Sequence, residues 1–148
     1  MADSLVNSLH ISAAGMSAQR TRMDIVAENI ANAESTRTEN GGPYQRRQVI
    51  FESISPQSNF NKVFSSSLQS QQSQTVKVAD VVKDQKPPQA LYNPSHPDAD
   101  SQGMVKFPNV NAVEEMVDLN SASRAFESNV TVMQASKRMF LKTLELLR

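Results

Sequence analysis

Apolar residues recur at every seventh position near both ends of the chain, and the stretch between follows a different rule. Leu9, Met16, Met23 and Ile30 form the first series, with Leu5, Val26 and Ala33 at the second heptad position. That spacing lays one apolar seam along one face of a helix. It predicts a single helix over residues 4–33, on the order of 45 Å long at roughly 1.5 Å per residue. Gly15 is the soft point of that helix. At the other end Leu119, Phe126, Met133, Phe140 and Leu147 repeat the pattern, flanked by Met116, Val130 and Leu144. No proline follows Pro108, so a helix of about 38 residues, on the order of 57 Å, meets no covalent obstacle. Asn109 or Asn111 suits its N-cap, and Glu114 and Glu115 fall in the first turn, where the helix dipole favours acid.

A seven-residue repeat drifts against the helical period, so each stripe stays in register only by winding around another helix. The second heptad positions are poor, however. Ser12 and Gln19 interrupt the first seam, and Ser123 and Lys137 the second, which argues against a strong autonomous dimer. Stripes of this kind can be the core of an ordinary bundle. Two long helices of unequal length at opposite chain ends fit a rod-like assembly better.

Residues 36–108 hold six of the eight aromatic residues and all seven prolines, a composition that marks a separate middle unit. QVIFESI (48–54) and TVKVADVV (75–82) are β-branched runs bounded by turn formers and predict short strands. GMVKFP (103–108) predicts a last one, ended by Pro108. SSSLQSQQSQT (65–75) is nearly all Ser and Gln and reads as a flexible loop. KPPQALYNPSHPDADSQG (86–103) places four prolines and several Asx residues together, which predicts an ordered but irregular segment. The expected fold is mainly α: a helix in 1–35, a small irregular β-containing middle in 36–108, and a second helix in 109–148.

At 148 residues the chain suits one domain with long extensions. Its apolar fraction of 39%, below the roughly 45–50% of ordinary globular chains, implies a thin core. Fifteen basic residues balance fifteen acidic ones, so no net field draws the chain to nucleic acid or an anionic bilayer. The absence of cysteine excludes disulfides, thiolate metal sites and a Cys nucleophile. The opening MADSLVNSLHISAAGM has no basic leader ahead of an unbroken apolar run, so no secretory signal peptide is read there. No window approaches the roughly 20 apolar residues of a membrane span.

Catalytic and metal chemistry find little support. His96, Asp98 and Asp100 in SHPDAD cluster, yet no second His or Cys completes a zinc tetrahedron, and the EF-hand spacing is missing. Asx turns pinning an extended loop explain them better. Serines are abundant without a nucleophile elbow, and Gly41 and Gly42 sit in no phosphate-binding fingerprint, so they read as turn glycines. No enzyme activity, cofactor or metal is expected. Arg46 and Arg47, with Arg37 nearby, are too few for a nucleic-acid site. They read either as a solvated strand face or as charge contacts to a neighbouring subunit.

The stretch ISAAGMSAQRTRMDIVAENIANAESTRT closely resembles the N-terminal signature of the bacterial flagellar axial proteins, a long helix ending in an N-x-A-N box. The box is matched by Asn29, Ile30, Ala31 and Asn32, preceded by Met23, Asp24 and Val26. Most members follow it with a short Pro-Gly-Tyr turn, whereas this chain reads AESTRTENGGPYQRRQVIF, which resembles the longer loop and basic strand of proximal rod subunits. LYNPSHPDADSQGMVKFPNVN (91–111) and the final helix resemble the same subunits. Together these blocks cover about two-thirds of the chain.

The resemblance implies a structural subunit of the flagellar rod that leaves the cytoplasm through the flagellar export apparatus without a cleaved signal. It implies a location in the basal body, in the rod crossing the periplasm, within a hetero-oligomeric tubular assembly. The implied partners are the proximal and distal rod subunits and the basal-body hook complex protein. The terminal helices would form an axial coiled coil that carries torque from motor to hook. The implied assembly interface joins Leu9, Met16, Met23, Val26 and Ile30 to Phe126, Val130, Met133, Phe140 and Leu144, within one subunit or between two. Asn29 and Asn32 would cap the helix end and bond an adjacent chain. Another rod or hook subunit, or a cytoplasmic coiled-coil adaptor that forms a stable dimer, remains the alternative.

Overall fold

Asn111 starts the last helix. Its backbone carbonyl accepts from Glu115 N at 3.0 Å and its side-chain Oδ1 from Val113 N at 3.1 Å, which satisfies donors that a helix N-terminus leaves open. Of the two candidate caps it is the one used. The computed structural model describes residues 2–39, 41–54 and 74–146. In chain order they form α1 (Ala2–Ala31), β1 (Arg47–Ile54), β2 (Thr75–Lys83), β3 (Gln89–Tyr92), β4 (Met104–Phe107) and α2 (Ala112–Leu146). The helices run 30 and 35 residues, about 45 and 52 Å. The architecture is mainly helical with two small antiparallel sheets. Among the described residues no helix is long and apolar enough to cross a membrane.

The N-x-A-N box closes α1. Both the backbone N–H and the side-chain Nδ2 of Asn32 donate to the Glu28 carbonyl, at 3.1 and 2.9 Å, and Asn32 Oδ1 accepts from Ser35 Oγ at 3.1 Å. The Glu28 carbonyl near the end of the helix is thus taken up twice, and the Ser35 bond holds the turn that follows.

β1 and β2 pair antiparallel from Arg47↔Lys83 to Ile54↔Thr75, and Ala79 is an extra residue between the partners of Ile50 and Phe51. Such a bulge sharpens the local twist. The hairpin packs on α1, with Val49 and Phe51 half-buried and Gln48, Ile50, Glu52 and Ile54 exposed. Most of the Ser/Gln tract lies outside the described residues.

The second sheet was not predicted in full. Its β4 strand falls where GMVKFP placed one, but β3 arises inside the run expected to be irregular, pairing Gln89↔Phe107 through Tyr92↔Met104. The reason is positional. Pro87, Pro88 and Pro94 bracket QALY without entering it, so every ladder amide of the strand survives. The turn between the strands is built as SHPDAD suggested. Asp98 N donates to His96 Nδ1, and Asp100 Oδ1 accepts from Gln102 N at 2.8 Å and Met104 N at 2.9 Å. Those two backbone donors hold the Asp100 carboxyl below its ordinary range. Val105 in β4, and Pro108 and Val110 in the segment that leads into α2, are buried.

Candidate assembly interface

Close approaches of small and polar residues between α1 and α2 recur along both helices, at positions beside the apolar stripes. Ser8, Gly15, Arg22 and Asn29 lie on α1; Glu115, Ala122, Asn129 and Ser136 lie on α2. Ser8 Oγ and Ser136 Oγ share a hydrogen bond at 3.1 Å. A Cβ on Gly15 would stand 3.0 Å from Asn129 Nδ2, so the missing side chain gives the amide its close seat. Arg22 pairs with Asp118 at 3.2 Å, one turn from the fully buried Ala122. Asn29 Nδ2 donates to Glu115 Oε2 at 2.9 Å. The residue numbers rise on one helix as they fall on the other, so the pair is antiparallel. Ser12, Ala18 and Val26 are buried along the same side.

The rung nearest the sheets is the most elaborate. Asn29 is 1% exposed and fills its whole hydrogen-bonding capacity: Nδ2 also donates to the Arg47 carbonyl, and Oδ1 accepts from Tyr44 OH and Arg47 N, all at 2.9 Å. It thereby ties α1 to α2 and to the first residue of β1. Glu115, equally buried, gives its other oxygen to the Arg46 guanidinium, whose Nε and Nη2 both stand at 2.6 Å. Arg46 also approaches Asp84 and Asp118 at 3.9 Å, and Arg47 pairs with Glu28 at 3.0 Å. Asn109 completes the joint by accepting from Arg46 N at 3.0 Å. Burial first, then the negative charge of Glu28, pushes the Tyr44 phenol from 10 up to about 12.

This geometry gives Asn29, the two arginines and Glu115 partners within the chain. All four side-chain polar sites of Asn29 are engaged within its own chain, by Glu115, Tyr44 and the backbone of Arg47. Arg46 pairs with acids of its own chain, Glu115 and Asp118 on α2 and Asp84 just after β2, and Arg47, whose side chain stays 40% exposed, pairs with Glu28 of α1. Glu114 and Glu115 both stand in the first turn of α2, as expected; Glu115 turns inward as the anion of a buried pair, while Glu114 is exposed.

The remaining candidate residues fall beside the ladder. Leu9, Met16, Met23 and Ile30 are half-buried along α1, as are Phe126, Val130 and Met133 on α2. Val26 is buried, and Asn32 is half-buried at the α1 terminus. Phe140 and Leu144, in the last turns of α2, are 38% and 50% exposed. Near the start of α2, Val113, Met116 and Val117 are exposed to 70%, 56% and 65%. Sequence reasoning missed Ser8, Arg22, Tyr44, Asp118, Asn129 and Ser136. The signal that could have found most of them is a second heptad series of small and polar residues, one position before the Leu9 series on α1 and one before the flanking Met116 series on α2.

Comparison with known proteins places this architecture. Residues 9–37 match the family model described as flagella basal body rod protein, and residues 101–146 match the one described as flagellar basal body rod FlgEFG protein C-terminal. The flagellar basal-body rod protein FlgC of Borreliella burgdorferi is 42% identical over 97% of this chain and 98% of its own. That of Bacillus subtilis is 41% identical over 95% and 96%, and that of Salmonella typhimurium 38% over 96% and 97%. The chain is a structural rod subunit of the bacterial flagellar basal body. Within that class it belongs to the FlgC family.

Proposed function

We propose that this rod subunit stands in the proximal rod and polymerises through its terminal helices, which become an axial coiled coil among those of its neighbours. The polar ladder holds α1 to α2, and the apolar stripes beside it are the surface that other subunits cover. One observation carries this reading: Phe140 and Leu144 continue the heptad pattern of α2 yet stay exposed in the isolated chain. Contiguous exposed apolar surface of that kind marks an interaction site. The interface on this reading comprises Leu9, Met16, Met23 and Ile30 with Phe126, Val130, Met133, Phe140 and Leu144, while Val26, Asn29 and Asn32 shape the helix pair from within.

The partners are the proximal and distal rod subunits and the basal-body hook complex protein, in a heteromeric tube that crosses the periplasm and carries torque to the hook. Segments 1–35 and 109–148 form its wall and 36–108 faces outward. A chain with no cysteine and a mostly polar helix seam suits passage through the flagellar export apparatus without a cleaved signal, with final order supplied when neighbours bury the stripes.

Phe140→Asp tests this in the flagellated host. A surface site of this kind leaves the isolated chain within about 0.5 kcal/mol of the parent. A charge set into a packed seam should abolish rod assembly and swimming. Normal motility in the variant would contradict the proposal.

A further inference from the structure

The polar ladder differs in kind from the apolar stripes beside it, and the difference concerns register. A stripe of Leu, Met, Ile and Phe at heptad spacing looks alike after a slide of seven residues. Leu9, Met16 and Met23 would each accept Phe126 or Met133. Apolar heptads therefore leave the axial alignment of two helices nearly degenerate, and a buried polar residue at one heptad position is the known way to remove that degeneracy.

We infer that Asn29 and Glu115 are the register-determining residues of the α1–α2 pair, and that the weaker rungs above them follow the alignment they impose. The chemistry of the Asn29–Glu115 rung allows one partner only. Asn29 and Glu115 are both 1% exposed and bonded at 2.9 Å. If α2 slid by one heptad in one direction, Asn29 would face Ala122, which has no side-chain acceptor. In the other direction it would face Pro108, which has neither a side-chain acceptor nor an N–H. Either slide strands a buried amide, and a stranded polar group costs far more than the bond itself contributes. Gly15 adds a second constraint, because a Cβ there would stand 3.0 Å from the Asn129 amide, tighter than an ordinary contact. Asn29 also bonds the backbone of Arg47 on both its N–H and its carbonyl, so the alignment of the helices is referred to the first residue of β1. These residues act by positioning. They leave the outer apolar faces free for other subunits and decide which heptads those faces present together.

The cysteine-free chain offers a direct reporter. Ser8→Cys with Ser136→Cys replaces two hydroxyls 3.1 Å apart and should close an intramolecular disulfide in the purified, dilute protein. Ser8→Cys with Asn129→Cys, and Ser8→Cys with Thr143→Cys, report slides of one heptad in either direction. In the parent background the first pair should cross-link at least tenfold more than the other two. In the Asn29→Leu, Glu115→Leu background the ratio of native to slipped product should fall at least fivefold. The readout is the ratio, so a variant that merely loosens the helices lowers all three yields and leaves it unchanged. An unchanged ratio would overturn the inference, as would failure of the native pair to cross-link in the parent.

Discussion

At the scale of single residues, the polar groups of this protein decide more than its apolar ones. Asn29 satisfies four hydrogen-bonding sites while almost completely buried, and Glu115 is neutralised by a guanidinium at 2.6 Å. Gln19 shows the opposite case: among the described residues its Oε1 is the buried side-chain polar atom left without a partner. Tyr44 makes the energetics measurable. Its phenol is raised from 10 to about 12 in the folded chain, so the unfolded chain ionises first as the pH climbs. The stability linked to this group is fully present below pH 10 and drains away as the pH rises through the folded value of about 12. Urea unfolding at pH 9 and pH 11.5 should show that loss in the parent, and Tyr44→Phe, which cannot ionise, should flatten it. An identical alkaline loss in both proteins would exclude Tyr44 as the source.

At the scale of elements, the helices were legible and their mutual orientation was not. The heptads of Leu9 to Ile30 and of Leu119 to Phe140 predicted both helices to within a few residues, because an amphipathic period and an absence of proline are local properties. Which face meets which depends on close approach, and Ser8, Gly15 and Ser136 permit that by being small, a feature that hydrophobic periodicity cannot register. The same limit applies to Arg46 and Glu115, whose 69-residue separation hides an ion pair from any local pattern. Strand β3 was obscured by the prolines around it. Its turn also rests on a glycine: Gly103 has φ +77°, and a Cβ there would lie 2.9 Å from the Tyr92 ring. Gly103→Ala should therefore cost about 1–3 kcal/mol and loosen β3 and β4 while the helix pair persists. Amide exchange should rise at Leu91 and Val105 and stay unchanged at Ala18 and Ala122. Unaltered exchange at Leu91 and Val105 would show the turn to be unstrained.

At the scale of the whole molecule, the polar seam and the outward apolar stripes divide the labour of one helix pair. Bonds inside the chain set its geometry near the sheets, where Asn29, Tyr44, Arg46 and Glu115 converge. Beyond the far end, held by Ser8 and Ser136, Phe140 and Leu144 stay exposed, the surface proposed above to meet neighbours in the rod. The most direct test of that division is the rate of thiol labelling at single cysteines placed at Phe140, Leu144 and Met116, with Glu52 on the exposed face of the hairpin as reference. Rates are compared between the free chain and rods isolated from cells. Labelling at the three helix positions is expected to fall at least tenfold on assembly and to change little at Glu52. Equal rates in the free and assembled states at Phe140 and Leu144 would mean that the stripe meets no neighbour, and that the rod is joined through some other surface of this chain.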